Sequence, residues 1–186
     1  PQSCSMRIIA GKAKGVSLKV PREVSRPTTD RVRESIFGIL QERLEGAKVL
    51  DLFAGSGALG MEALSRGAAS CDFVEKDRGA ARVLSENLKK TRLSGGSVHH
   101  REVEAFLSSS PGGYDLIFAD PPYASAFGDF AADLAAMTGW ETWLAKDGFL
   151  ILEREARGEV PPAYGLEILR QKDYGRSRIV IYEHAE

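Results

Sequence analysis

The feature that most constrains this chain of 186 residues is a regular alternation of two patterns. Short apolar runs typical of strands alternate with segments whose apolar residues recur at helical spacing. Helices between such strands are the right length for crossovers between parallel neighbours, so the sequence predicts a doubly wound α/β fold. The predicted strands are 48–53, 70–75, 97–101 and 115–119, and the predicted helices are 58–66, 78–91 and 103–109.

The last third of the chain is predicted to complete the same sheet. A loop and a helix around residues 127–137 precede a strand at 148–153, and two extended runs follow at 166–170 and 178–183. The closing pair is typical of an antiparallel edge. The prediction is therefore a Rossmann-like, mostly parallel sheet of seven strands with antiparallel C-terminal strands. Open sheets of this kind bind ligands beyond the carboxyl ends of their strands, here just after Phe53, Glu75, Arg101 and Ala119.

The region before this sheet is predicted to be a small extension. Residues 7–10 and 16–20 are strand candidates around a glycine-containing turn, which predicts a β-hairpin within residues 6–26. Met6 is interpreted as the initiator, and residues 1–5 as an artificial leader. The main domain is predicted to span 27–186. It begins with a helix that starts at Pro27, Thr28 and Thr29 and ends at Gly46.

Charge is divided unevenly along the chain. The whole sequence has a formal net charge of −1, but residues 1–33 hold eight basic residues against the two acids Glu23 and Asp30. That segment therefore carries +6 and the remainder −7. Such a basic segment is typical of contacts with nucleic-acid phosphates, although a solvated basic face explains it equally well.

Composition excludes several classes of protein. Of the residues, 43% are apolar and 27% charged, and no apolar stretch approaches the roughly 18 residues of a membrane span, so a soluble cytoplasmic protein is predicted. Cys4 and Cys71 offer no paired framework, which fits a reducing compartment. His99, His100 and His184 lack partners at ligand spacing, so no metal site is predicted.

A glycine-rich turn follows the first strand of the predicted sheet. Gly55, Gly57 and Gly60 precede a helix, where missing Cβ atoms let a ligand approach the backbone and the helix start offers free amides. With Glu75 placed 20 residues after Gly55, the turn also satisfies the dinucleotide fingerprint, so the motif alone leaves a nicotinamide cofactor open. Asp51, ahead of the glycines, favours a positively charged methionine-like amine over a pyrophosphate.

A second motif, Asp120-Pro121-Pro122-Tyr123, ends the strand at 115–119. Two prolines fix the backbone and remove amide donors, so the loop is predicted to be rigid and lined with carbonyls. An exocyclic base amine has two N–H donors, which a carboxylate and a proline carbonyl can accept together, while an aromatic ring stacks on the base. These residue types therefore predict a site for an amine.

The two motifs together resemble those of class I, amino-group-specific methyltransferases. More narrowly, the chain resembles the RsmD-type 16S ribosomal RNA (guanine-N2) methyltransferases over nearly its whole length. The Asp-Pro-Pro-Tyr motif is shared by DNA and RNA amine methylases, whereas the run Arg-Pro-Thr-Thr-Asp-Arg-Val-Arg-Glu at 26–34 is characteristic of the narrower family. The other matching segments are 6–11, 53–60, 62–66 and 120–123.

The resemblance implies that S-adenosyl-L-methionine is the cofactor and that residues 120–123 hold the target amine. One position departs from the family pattern: Glu102 stands where an Asn or Asp usually meets the adenine amine, and Glu104 is an alternative. The implied cofactor-binding residues are Asp51, Phe53, Ala54, Gly55, Ser56, Gly57, Glu75, Lys76, Glu102, Val103 and Asp120.

The resemblance also implies 16S ribosomal RNA as the partner, within a small-subunit particle, and a monomeric enzyme that needs no metal. The implied RNA-binding residues are Arg7, Lys12, Lys14, Arg26, Thr28, Thr29, Arg31 and Arg33. Three alternatives stay open at this point. They are a DNA adenine or cytosine amine methylase, an NAD-dependent oxidoreductase that uses the glycine fingerprint, and a non-catalytic RNA-binding module.

Overall fold

A seven-stranded sheet lies at the centre of the protein, and the elements follow the predicted alternation. The structure is a computed structural model that describes residues 6–21, 28–122 and 130–186. The strands are β1 (Met6–Arg7), β2 (Ser17–Leu18), β3 (Lys48–Leu52), β4 (Ser70–Glu75), β5 (Gly96–His100), β6 (Tyr114–Ala119), β7 (Leu144–Glu155), β8 (Leu166–Tyr174) and β9 (Ser177–His184). The helices are α1 (Asp30–Ile39), α2 (Ala58–Ser65), α3 (Arg78–Thr91), α4 (Val103–Leu107), α5 (Phe130–Ala136) and α6 (Trp140–Trp143), with a 3-10 turn at Gln41–Arg43.

The strand order in the sheet is β5-β4-β3-β6-β7-β9-β8. Strands β3 to β7 run parallel, whereas β9 is antiparallel to β7 and β8 is antiparallel to β9. The predicted Rossmann-like fold with an antiparallel C-terminal edge is therefore confirmed. Because the strand order reverses between β3 and β6, the carboxyl ends of β3, β4 and β6 open into one crevice.

Alternate strand positions face two separate cores, one on each side of the sheet. On one side, Val49 and Phe118 belong to a core that includes Phe37 of α1, and the Phe37 and Phe118 ring centroids are 5.6 Å apart. On the other side, Leu50 packs in a core that includes Trp140 of α6. The sheet is thus covered on both faces, as a parallel sheet requires.

Several element ends differ from the sequence prediction. The helix start at Thr29 is confirmed, since its hydroxyl accepts from the Val32 amide at 3.4 Å. However, α1 ends at Ile39 rather than near Gly46, because Leu40 leaves helical geometry and its carbonyl accepts from Arg43 at 2.8 Å in a 3-10 turn. Strand β7 is longer at both ends than predicted, and the single turn α6 was not predicted.

The predicted N-terminal hairpin is confirmed in shorter form. Strands β1 and β2 pair antiparallel, and the hairpin is fixed to α2 by a buried carboxylate. Glu62 accepts from the backbone amides of Ile9 at 2.8 Å and Ala10 at 3.0 Å. The predicted domain boundary between residues 26 and 27, and the leader at 1–5, lie outside the described residues.

Arg33 belongs to the same buried network, which corrects one predicted RNA contact. Its side chain is fully buried, donates to the Arg7 carbonyl at 2.9 Å and to Asp30 at 2.6 Å, and lies 3.7 Å from Glu62. A guanidinium enclosed in this way joins α1, α2 and the hairpin and does not reach a phosphate. The prediction that Arg33 binds RNA is therefore wrong.

In the part of the chain that the structure describes, no helix combines the length and apolarity needed to cross a bilayer.

Candidate active site

A cavity of about 290 Å³ lies at the carboxyl ends of β3, β4 and β6. This volume is near the low end of the roughly 300–1,000 Å³ of small-molecule sites. The N-terminal segment closes one side of it through Met6, Pro21 and Thr28. The structure brings most of the predicted cofactor and amine residues onto its wall: Asp51, Phe53, Ala54, Gly55, Ser56, Glu75, Lys76, Glu102, Val103, Asp120, Pro121 and Pro122.

The glycine-rich turn holds an unusual backbone. Phe53 and Gly55 have φ values of 57° and 55°, and Gly57 has a φ of 81°. A left-handed conformation at a bulky residue such as Phe53 costs on the order of 1–3 kcal/mol and persists mainly at functional sites. Gly57 does not line the cavity. An added Cβ there would lie 2.3 Å from Leu84 Cδ1, so this glycine is required for packing of the turn against α3.

Asp51 is a buried carboxyl behind this turn. Its side chain is 2% exposed, and its Oδ2 accepts from the Gly60 amide in the first turn of α2 at 3.0 Å. Burial raises the pKa of Asp51 from 3.8 to about 8; the Gly60 hydrogen bond opposes this rise and the charge of Glu75 adds to it. Below pH 8 such a carboxyl is mostly protonated, and a cation that enters the cavity favours its ionised form.

Glu75 stands at the end of β4 and is oriented by two backbone amides. Its Oε2 accepts from Gly55 at 2.9 Å and its Oε1 from Asp77 at 2.8 Å. Each carboxylate oxygen has a second lone pair, so the group remains able to accept from two hydroxyls. The fixed orientation suits a pair of vicinal hydroxyls such as those of a ribose.

Glu102 is the acid that the structure places on the cavity wall after β5. It is exposed, lies 3.7 Å from Lys76 Nζ, and immediately precedes α4. Glu104, the alternative considered from the sequence, is exposed in the first turn of α4 and is not a wall residue. Of the two acids, only Glu102 lines the cavity, and its contact with adenine stays a prediction.

Asp120 extends β6 into the cavity, and the Thr28 hydroxyl links it to the carboxyl of Glu153, which is not a wall residue. Its Oδ2 lies 3.1 Å from Thr28 Oγ1, and the same hydroxyl lies 2.9 Å from Glu153 Oε2. Burial, followed by the nearby charge of Glu153, raises the pKa of Asp120 well above its usual range. Pro121 is buried and Pro122 exposed, while Tyr123 lies outside the described residues.

Thr28 and Glu153 were not recognised as parts of this site from the sequence. Thr28 was predicted to contact RNA, but its side chain is 9% exposed and its hydroxyl faces the two carboxyls, so that prediction is corrected. Glu153 ends the apolar run of β7, just as Asp120 follows that of β6. Acids that end buried strands are the signal that would have identified it.

The remaining predicted RNA residues lie in different environments. Arg7, Lys12, Lys14 and Arg31 are exposed, and Thr29 caps α1. Arg26 lies outside the described residues. Within residues 6–21, 28–122 and 130–186, no group of three or more His, Cys, Asp or Glu side chains is placed to hold a metal ion.

Comparison with known proteins identifies the family. The family model described as Conserved hypothetical protein 95 matches residues 6–183. The chain is 35% identical over 184 residues to the Ribosomal RNA small subunit methyltransferase D of Escherichia coli K12, covering 97% of this chain and 91% of that protein. The chain belongs to the RsmD-type methyltransferase family. The resemblance found in the motifs is thereby confirmed.

Other relatives of this RsmD-type chain agree with that assignment. It is 39% identical to the "Putative rRNA methyltransferase YlbH" of Bacillus subtilis, covering 96% of this chain and 98% of that protein. Among solved structures, a hypothetical protein of Thermus thermophilus superimposes with a TM-score of 0.81 at 33% identity, covering 96% of this chain and 99% of that one.

Proposed function

We propose that this RsmD-type chain transfers a methyl group from S-adenosyl-L-methionine to the exocyclic N2 amine of a guanine in 16S ribosomal RNA. We place the reaction in the cytoplasm, on a small-subunit particle, with the enzyme acting as a monomer. One observation carries this conclusion: Asp120, followed by two prolines, opens into the same cavity as Asp51 and Glu75. The acceptor for an amine, Asp120, thus lies next to a site for a charged nucleoside.

The cavity residues fit the cofactor. When bound, S-adenosyl-L-methionine supplies a methyl group on a positively charged sulfur. Glu75 is oriented to accept from the ribose hydroxyls, and Asp51 offers a buried carboxyl to the ammonium group. Because Asp51 is 2% exposed, its attraction to a cation is weakly screened by water.

The residues that directly follow β6 form the proposed amine site. Asp120 and the Pro121 carbonyl accept the two N–H groups of the target amine, which turns the nitrogen lone pair toward the methyl group. The N–C bond forms as the S–C bond breaks with its electron pair returning to sulfur, and one amine proton then leaves to the Asp120 carboxylate. We assign Tyr123 to stacking on the extruded base.

The RNA is proposed to lie across the basic N-terminal segment. Four basic side chains of this segment are exposed: Arg7, Lys12, Lys14 and Arg31. The same segment supplies Met6, Pro21 and Thr28 to the cavity wall. A phosphate backbone held there would bring a flipped base toward Asp120. Each such contact releases condensed counterions, so binding is expected to weaken with salt.

Asp120→Ala tests the assignment. The variant is expected to lose nearly all methyl transfer to small-subunit RNA and to keep its affinity for S-adenosylhomocysteine, because the acceptor acts only when the target amine is in place. Tyr123→Phe should be mild and Tyr123→Ala severe, since stacking needs the ring. Single-turnover assays and mass spectrometry of the nucleosides measure both rate and product.

Three outcomes contradict parts of this function. A methylated product other than N2-methylguanosine would overturn the base assignment, and preferential methylation of DNA would overturn the RNA assignment. If the protein bound NAD tightly and did not bind S-adenosylhomocysteine, the glycine-rich turn would instead indicate an oxidoreductase.

A further inference from the structure

The hairpin of β8 and β9 carries cations at the same edge of the sheet as the cavity. Strand β9 is antiparallel to β7 and β8 is antiparallel to β9, so β8 runs in the same direction as β6 and β7. The carboxyl end of β8 and the turn into β9 therefore lie at the edge of the sheet where Asp120 follows β6. Three basic side chains of this hairpin are exposed, and we call them the basic edge: Arg170, Lys172 and Arg176.

Strand register gives the distance between the basic edge and the proposed amine site. One row of paired residues runs across β6, β7, β9 and β8 from Ala119 to Gln171. The next row brings Lys172 level with Asp120, three strand spacings away, which is about 14 Å. Because an RNA backbone carries a phosphate at every nucleotide, a strand whose base reaches Asp120 also brings phosphates to this distance.

Lys172 lies on the face of the sheet that α1 covers. It is opposite Ile179, which packs in the same core as Phe37 of α1. Lys172 Nζ is 5.2 Å from the centroid of the Tyr174 ring, and the Tyr174 hydroxyl contacts the hydroxyl of Ser35 in α1. The carboxyl end of β8 is thus held against α1, with its cation beside the helix.

Arg31 connects the basic edge to the cavity. It is exposed and lies four residues before Ser35, so the two side chains are neighbours on one side of α1, with Cβ atoms about 5–6 Å apart. Because Ser35 contacts Tyr174, this side of α1 is the one next to β8. Thr28, three residues before Arg31, already lines the cavity. Exposed cations therefore extend from the cavity along α1 to the hairpin.

Neighbouring acids do not neutralise these cations. Within the described part of the chain, neither Arg31 nor any side chain of the basic edge forms an ion pair. Asp173 alternates to the other face of β8 and is paired with Arg178 at 2.6 and 3.0 Å. The chain beyond residue 33 has a net charge of −7, so a group of unpaired cations in it does not follow from composition.

We propose that the basic edge is a second RNA-binding surface, which holds phosphates on the other side of the target base from the N-terminal hairpin. This inference rests on the proposed function. The N-terminal hairpin is fixed to α2 through Glu62, whereas the basic edge lies beside α1 at the far edge of the sheet. An RNA strand that crosses the cavity thus meets cations on both sides of Asp120. Phosphate contacts of this kind fix register and orientation, and so position the flipped base.

Protection of the sheet edge is the competing explanation. Strand β8 is the last strand of the sheet, and charged side chains and bulges, such as the one at Leu169, keep edge strands from pairing with another copy. Protection works with either sign of charge. Between the bulge and the turn, however, both charged residues on the α1 face are cations, Arg170 and Lys172, while Glu167 lies at the amino end, away from the cavity. This distribution favours an anionic partner.

The salt dependence of RNA binding tests the proposal. We expect a triple variant, with Gln at all three positions of the basic edge, to bind small-subunit RNA more weakly in filter binding. The slope of log binding constant against log salt concentration should become shallower by about 0.7–0.9 for each lost phosphate contact. Near 0.1 M salt, the same slope corresponds to about a five- to eightfold loss of affinity per contact. Arg170→Lys combined with Arg176→Lys keeps the charges and should bind like the parent.

A second triple variant is the matched control. Lys89→Gln, Arg92→Gln and Lys146→Gln remove the same charge from exposed positions at the opposite edge of the sheet, where α3 ends and β7 begins. This control should keep the parent's affinity and slope, because these residues lie far from the carboxyl ends of the strands. It separates local contacts from an effect of net charge.

Single-turnover methyl transfer provides an independent measurement. In the triple variant of the basic edge, the RNA concentration that gives half the maximal rate should rise by the factor lost in affinity. The rate at saturating RNA and the affinity for S-adenosylhomocysteine should stay those of the parent, since these side chains lie about 14 Å from the reacting groups.

Two results in the variant would overturn the second RNA surface alone: an unaltered salt slope while the parent methylates RNA, or a slope loss equal to that of the control. Dimerisation of the triple variant in sedimentation velocity, with the parent's slope, would assign the cations to protection of the sheet edge. A parent that neither bound nor methylated small-subunit RNA would overturn the proposed function as well, and that failure is seen before any substitution is made.

Discussion

Cofactor affinity should depend on pH through Asp51. In the proposed site this carboxyl must be ionised to bind the cofactor's ammonium group, whereas burial raises its pKa in the free protein to about 8. Below that pH the ligand must displace a proton, so affinity is expected to fall about tenfold per pH unit. Half of Asp51 is already protonated at pH 8, so between pH 8 and pH 6 the loss is about 50-fold, or roughly 2.3 kcal/mol.

Titration calorimetry with S-adenosylhomocysteine at pH 6, 7 and 8 measures this dependence directly. In buffers of different ionisation enthalpy, the parent should release about one proton per ligand at pH 6. Asp51→Asn should bind weakly with no such release, because its amide does not titrate. Asp147→Asn, which alters an exposed acid in β7, should retain the parent's slope.

The same pKa predicts the stability of the free protein. Between the unfolded pKa of 3.8 and the folded value of about 8, the folded state holds a proton that the unfolded state has lost. Unfolding free energy from this group therefore decreases as pH rises through that window, by at most about 1.4 kcal/mol per unit. Asp51→Asn should remove this contribution. An affinity independent of pH from 6 to 8 in the parent, or the parent's slope in Asp51→Asn, would refute the reasoning.

Three further predictions concern other parts of the molecule. Replacing Lys12, Lys14 and Arg31 by Glu should weaken RNA binding, as measured by filter binding. The slope of log binding constant against log salt concentration should fall by about one for each lost contact, and an unaltered slope would show that these residues form only a solvated face. Glu62→Gln should cost about 3–5 kcal/mol in denaturant unfolding, because it leaves the buried Arg33 and the partly buried Arg66 without their acidic partner. A loss below about 1 kcal/mol would show that the network is not structural. Glu75→Gln should weaken binding of S-adenosylhomocysteine in the same calorimetric titration. Because the charge of Glu75 helps to raise the pKa of Asp51, the variant should also move the pH dependence of binding to lower pH, and parent-like affinity would remove Glu75 from the site.

The fold could be predicted because its signals are local. Strand β4 and helix α3 have the predicted bounds, since each is set by the periodicity of its own apolar residues and, in α3, by the Asp77 side chain that accepts from Ala80 at 2.7 Å. Helix α6 was missed because four residues, Trp140–Trp143, are too few to show a period. Its place depends on the packing of Trp140 in the core.

The parts of the site that escaped prediction depend on contacts between distant residues. Thr28 and Glu153 are 125 positions apart, and nothing in either neighbourhood indicates the other. Arg33 follows Asp30 at helical spacing, and this spacing is as typical of an exposed ion pair as of a buried one. Its burial is set by Glu62 on α2, so only the packing of α1 against α2 distinguishes a structural arginine from one that contacts phosphate.

Four adjacent strands, β4, β3, β6 and β7, each carry an acid at or near the carboxyl end: Glu75, Asp51, Asp120 and Glu153. Acidic side chains thus occupy all four positions, and their surroundings make the four groups differ. Two backbone amides hold Glu75 as an acceptor, whereas burial raises the pKa of Asp51 and Asp120. The ammonium group replaces the Asp51 proton and leaves the local net charge unchanged, whereas the positively charged sulfur of the cofactor adds a charge to the cavity and should lower the pKa of Asp120. Entry of the positively charged cofactor would therefore favour the ionised Asp120 that the amine requires, which predicts that the cofactor strengthens binding of the target base.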